Sequence, residues 1–120
     1  MIQCIINMTV LPAKRIELLQ TLEAIVDRVR IETGCMNANL YQNLENDREF
    51  MLVEKWRDRQ NLENYIRSDS FSVLLGTDGL LDNPADIEIY PVSRTSGMED
   101  VLEMRRRAAD SEIPENGPPC

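Results

Sequence analysis

The chain has 120 residues, 42% of them hydrophobic and 28% charged, which fits one globular domain with one modest core. Lys and Arg total 13 against 21 Asp and Glu, a net charge of −8 that argues against a nucleic-acid or anionic-membrane partner. Histidine is absent, which excludes Ser-His-Asp and Cys-His catalysis and any His-ligated metal or haem.

Cys4, Cys35 and Cys120 are widely separated and form no C-x-x-C pair, so neither a zinc knuckle nor a thioredoxin-type redox site is indicated. A reduced, cytoplasmic protein is the simplest expectation. The N-terminus lacks the basic region and long apolar run of a signal peptide. No apolar stretch approaches the roughly 20 residues needed to span a membrane.

In chain order, residues 3–10 are rich in Ile, Val and Thr and read as a strand. Pro12 sits where the first turn of a helix tolerates it. Over 13–32, Ile16, Leu19, Leu22, Val26 and Val29 recur at spacings of three or four, with Leu18 and Ile25 widening the stripe. Gly34 is a natural stop for that helix. Residues 35–44 and 49–56 read as two strands of a hairpin around the polar turn 45–48. Asp58 can cap a helix over 59–67, with Leu62, Tyr65 and Ile66 inward. Ser68-Asp69-Ser70 interrupts it, and 71–75 resumes as a short helical turn. Residues 76–84 read as a loop and 86–92 as a fourth strand, with Pro91 marking an edge or a strand end. Ser96-x-x-Glu99 has the form of a capping box before a helix over 98–109, acidic early and basic late. Residues 111–120 are polar and rich in Pro and Gly, so a disordered or draped tail is expected.

This order, β-α-β-β-α-β, is the ferredoxin-like α+β arrangement, an antiparallel sheet with helices on one face. Both faces of the strands carry apolar residues: Ile5 against Ile6, Met8 and Val10, and Met51 and Val53 against Phe50, Leu52 and Trp56. A sheet apolar on both sides needs a second cover, which a homodimer packed sheet to sheet would supply.

At this point the sequence resembles the antibiotic biosynthesis monooxygenase domain family, small dimeric α+β-barrel proteins. Gly34-Cys35 opens a strand containing Tyr41. The third strand ends Glu54-Lys55-Trp56-Arg57-Asp58, matching a Glu-x-Trp-x-Asp/Ser pattern. Leu62 and then Ser68-x-x-Phe71 follow. The resemblance covers roughly residues 1–95. It implies a domain over 1–96, with a C-terminal helix and tail over 97–120 outside it. It also implies a dimer with a cavity in each subunit, and oxidation of phenols, quinols or anthrone-like polyketides by O₂ with no metal or flavin as cofactor. The family often carries histidine where this chain has Tyr65, and in some members where it has Ser70. With those replaced, haem is not an expected partner.

The candidate catalytic residues are Glu54, Tyr65 and Asn7. The candidate substrate-binding residues are Trp56, Asn39, Tyr41 and Phe71. Glu54 shares a strand face with Phe50, Leu52 and Trp56, where desolvation would raise its pKa towards that of a general base. The alternative is a carboxylate in a structural ion pair with an arginine. Trp56 is the only tryptophan, and reads as a core or interface aromatic, as a cavity wall, or as both. Asn7 reads as a donor to a substrate carbonyl or as a sheet-end or interface hydrogen bond. Asn37, Asn39 and Tyr41 form a polar stripe that lines a cavity, faces solvent or meets a hydrated dimer seam. Tyr65 is a hydrogen-bond donor to a phenol or an oxyanion, or a core residue with its hydroxyl at the surface. Cys4 and Cys35 read as small buried hydrophobes. The expected function is a cofactor-independent monooxygenase acting on a small aromatic, with a non-catalytic dimeric ligand-binding or regulatory module as the alternative.

Overall fold

A computed structural model describes residues 1–110 of the chain. The expectation for the tail, which includes Cys120, lies outside those residues. The strands are β1 (Ile2–Thr9), β2 (Cys35–Asn43), β3 (Asn46–Trp56) and β4 (Asp86–Pro91). The helices are α1 (Arg15–Val29), α2 (Arg59–Ile66), α3 (Asp69–Leu75) and α4 (Met98–Asp110). The strands form one sheet in the order β2-β3-β1-β4, with every neighbouring pair antiparallel. This is the ferredoxin-like α+β fold.

Alternation along β1 sets the two faces. Ile2, Cys4, Ile6 and Met8 are buried, while Gln3, Ile5, Asn7 and Thr9 are half-exposed. The register carries the division across the sheet: Cys4 pairs with Glu54, which pairs with Ala38, and Asn7 pairs with Met51, which pairs with Tyr41. The inner face therefore holds Phe50, Leu52, Glu54 and Trp56 against Leu18, Leu22, Ile25, Val26 and Val29 of α1. Ile16 lies outside the packed stripe and is exposed. The buried arc of α1 is centred on Leu18–Leu22–Ile25–Val29 instead.

Local signals fix the ends of the elements. Pro12 opens a 3-10 turn (Pro12–Lys14) ahead of α1. Gly34 adopts φ +84, and a Cβ there would lie 2.3 Å from the Asn61 side chain. Glycine is thus needed both for the backbone and for the approach of α2. The hairpin turn is tighter than expected, so β3 starts at Asn46. Asn43 Oδ1 accepts from Glu45 N at 2.9 Å and Asn46 Oδ1 from Arg48 N at 3.1 Å, which holds the polar residues in register. Asp58 accepts from Asn61 N at 2.9 Å as the cap of α2. Ser68 caps α3 by accepting from Phe71 N, so the helix begins two residues before the expected turn. Gly97 precedes α4, and its carbonyl accepts from Asp100 N and Val101 N.

Apolar surface is left open in several places among the described residues, Ile87 and Ile89 of β4 included. The outer sheet face carries Ile5, Met51 and Val53 half-exposed, with Tyr41 and Tyr90 exposed. Met98, Val101, Leu102 and Met104 of α4 are also exposed, so this helix adds nothing to the core. Among the described residues, no helix is long and apolar enough to cross a membrane.

Candidate functional site

β3 carries the Glu-x-Trp unit into the core at its C-terminal end. Residues two apart on a strand point the same way, so Glu54 and Trp56 lie side by side on the inner face. Both have zero exposure. Trp56 Nε1 donates to Glu54 Oε1 at 3.1 Å, while Glu54 Oε2 has no hydrogen-bond partner among the described residues. Burial pushes the Glu54 carboxyl up from 4.5 to about 7, and the hydrogen bond from Trp56 opposes that rise. Its partner is therefore the indole, not the arginine of the ion-pair alternative.

The capped start of α2 places Leu62 and Tyr65 inward. The Tyr65 ring stacks on Trp56, with centroids 4.9 Å apart and planes at 24°. Phe71, positioned by the Ser68 cap, meets Tyr65 edge-on with centroids 5.4 Å apart. These geometries are favourable for aromatic pairs, at about 0.5–1.5 kcal/mol each beyond burial. The Tyr65 hydroxyl is buried without a partner among the described residues. Its pKa is raised, first by burial and then by the negative charge of Glu54. Tyr65 therefore stays protonated at neutral pH and acts as a donor rather than a base.

A groove of about 480 Å³ runs between α1 and α3 in front of this cluster. Ile25, Val29 and Tyr65 contribute buried residues to its lining, and Ala24, Arg28, Ser70 and Val73 line it nearer solvent. Both positions that the family resemblance marks for histidine, Tyr65 and Ser70, line it. Glu54 and Trp56 are not among the lining residues; they lie behind Tyr65, so a ligand in the groove meets the Tyr65 side chain before the carboxylate. Volumes of this order suit a ligand of two or three fused rings.

The structure brings together Glu54, Trp56, Tyr65 and Phe71. It places Asn7, Asn39 and Tyr41 on the other side of the sheet, away from the groove. Asn7 and Tyr41 border a smaller cleft of about 300 Å³ on the outer face. Asn39 donates to Asn37 and accepts from Arg30. Arg28 and Ser70, which line the groove and are joined by an Arg28 Nε to Ser70 Oγ hydrogen bond of 2.9 Å, are not among the candidate site residues of the sequence reading. The available signal for Arg28 is its spacing of three or four from Ala24 and Ile25, which puts it on the flank of the apolar stripe.

A four-stranded antiparallel sheet with helices on one face, and a groove backed by a buried carboxyl and stacked aromatics, define a small ferredoxin-like α+β domain with a ligand-sized cavity. The sequence model of the family described as antibiotic biosynthesis monooxygenase matches residues 1–74, and the chain belongs to that family. A conserved protein from Methanosarcina mazei, known as a crystal structure, is 30% identical with a TM-score of 0.70, over 74% of this chain and 89% of that one. The crystal structure of PA3566 from Pseudomonas aeruginosa is 28% identical with a TM-score of 0.69, over 79% of this chain and 94% of that one. The uncharacterised protein sll1783 from Synechocystis is 29% identical over 90 residues, 74% of this chain. The match spans 61% of the length of that curated relative.

Proposed function

We propose that the chain is a cofactor-independent monooxygenase acting on a small phenolic, quinol or anthrone-type aromatic in the α1–α3 groove. The observation that carries this is the Glu54 carboxyl, fully buried with Oε2 unpartnered and poised near neutrality, behind the unpartnered Tyr65 hydroxyl. Glu54 takes the proton from a substrate that reaches past the Tyr65 side chain. Tyr65 donates a hydrogen bond to the resulting oxyanion. Trp56 and Phe71 fix the Tyr65 ring from two sides. The electron-rich anion then passes one electron to O₂, and the two radicals combine to a peroxide anion on carbon, which takes the proton back from Glu54 to become the hydroperoxide. Loss of water leaves a carbonyl, so a CH₂ and O₂ become C=O and H₂O. The largely apolar lining of the groove favours the step in which charge leaves the substrate.

The protein works as a homodimer packed through its outer sheet faces. Ile5, Met51 and Val53 form the apolar seam, with Asn7, Asn39 and Tyr41 hydrated within or beside it. Residues 1–96 form the family domain, and 97–120 are an addition to it. The free cysteines Cys4 and Cys35 suit a reducing, cytoplasmic setting.

One observation favours the alternative of a non-catalytic ligand-binding or regulatory module. Glu54 does not line the groove, so a ligand there reaches it only past Tyr65. Oxygen uptake on a panel of quinols and hydroxyanthrones, against heat-killed protein, separates the two. The enzyme reading expects uptake that the Glu54→Gln and Tyr65→Phe changes together abolish. Binding without uptake favours the module.

A further inference from the structure

We propose that the ligand of the α1–α3 groove bears an anionic group, a carboxylate or an ionised enol, and that Arg28 selects for it. This rests on the groove being the substrate site. Arg28 is the only charged side chain among the groove's lining residues. The chain carries 21 carboxylate side chains and a net charge of −8, yet Arg28 takes part in none of the ion pairs among the described residues. Its neighbour Asp27 is turned to Arg30 instead, at 3.7 Å.

The last turn of α1 favours a cation through the helix dipole. That accounts for a basic residue, but not for its orientation. Arg28 Nε donates to Ser70 Oγ of α3 at 2.9 Å, which ties the guanidinium across the groove. The terminal Nη1 and Nη2 groups remain, a pair of parallel donors that matches a carboxylate. The buried Tyr65 hydroxyl supplies a second polar anchor on the groove lining, also without a partner. Between the two lie Ile25, Val29 and Ala24, which offer only apolar contact. An apolar, flat molecule with an oxygen for Tyr65 and an anion for Arg28 pairs both the buried hydroxyl and the free guanidinium donors. The negative field of the rest of the protein repels anions, so an anionic ligand needs a local cation here.

The test is calorimetric titration of the full chain with 1-hydroxy-2-naphthoate and with its neutral carboxamide. The carboxylate is expected to bind at least ~10-fold more tightly than the amide, as a charge-assisted pair allows. In Arg28→Met that preference falls to within ~2-fold, and in Arg28→Lys part of it remains because charge persists without the fork. Arg28 is exposed, so both variants should fold, which circular dichroism checks. Equal binding of acid and amide to the wild type, or a preference kept in Arg28→Met, overturns the anion selection and leaves the groove as the substrate site. Binding of neither compound overturns both.

Discussion

Replacing Glu54 by Gln tests the buried carboxyl through folding stability, in a measurement that needs no substrate. Gln keeps an oxygen for the Trp56 indole and nearly the same volume, but cannot ionise. In the wild type the folded-state pKa is raised from 4.5 to about 7. Below pH 4.5 both native and unfolded states are protonated there, and the group has no effect on stability. Between 4.5 and about 7 the native state holds a proton that the unfolded state has released, so stability falls as pH rises. Above about 7 the native state carries a desolvated charge, a penalty of about 3 kcal/mol. Cys4 faces Glu54 across the sheet and is pushed up to about 12, and Tyr65 is raised too, so neither titrates in this window. The expected result is that Glu54→Gln matches the wild type at pH ~4.5 and is more stable by about 3 kcal/mol at pH ~7.5. Urea unfolding followed by the fluorescence of the sole tryptophan, at fixed protein concentration, measures the difference. Taking the difference cancels the other carboxylates, which both proteins share. A gap that stays constant with pH refutes the claim that Glu54 is buried as a lone, raised-pKa acid.

Gly34→Ala should cost at least about 1 kcal/mol in the same unfolding assay, since it meets both the positive φ and the Asn61 side chain. Adding Asn61→Ala should recover only the steric part, and full recovery would show that the φ at this site matters little. Asp58→Ala removes the cap of α2 and should lower stability by about 1 kcal/mol. It should also weaken ligand binding, because α2 carries Tyr65; unchanged binding would separate the cap from the site. A chain truncated after Ser96 lacks α4 and should remain dimeric in light scattering, because the proposed seam is the sheet; a monomer would move the seam to the C-terminal helix.

The element order was legible because each segment's apolar period matches its structure. Leu18, Leu22, Ile25 and Val29 recur at helical spacing, and Asp58 and Ser68 stand where caps belong. The Glu-x-Trp unit was legible as a pair because strand alternation alone puts both on one face. Which face of β1 joins them was not legible. Ile5 and Ile6 are equally apolar, and only the register, with Cys4 opposite Glu54 and Asn7 opposite Met51, parts Asn7 from the buried carboxyl. The start of β3 was misplaced because Asn46, Asp47 and Arg48 are turn-like residues, whereas the turn is closed by the Asn43 and Asn46 side chains themselves. Arg28 was missed for a different reason. A polar residue on a helix flank reads as solvent-facing until its neighbour across the groove, here Ser70 from 42 positions away, is placed beside it.

In the proposed reaction Glu54 takes the substrate's proton from behind Tyr65, at the back of an apolar groove. The most direct measurement is the pH dependence of oxygen uptake on a hydroxyanthrone, wild type against Glu54→Gln. The wild-type rate is expected to climb with pH and level off near 7, and the variant to have lost this limb with most of its rate. Turnover in Glu54→Gln equal to that of the wild type, with the same pH profile, would contradict this role of Glu54.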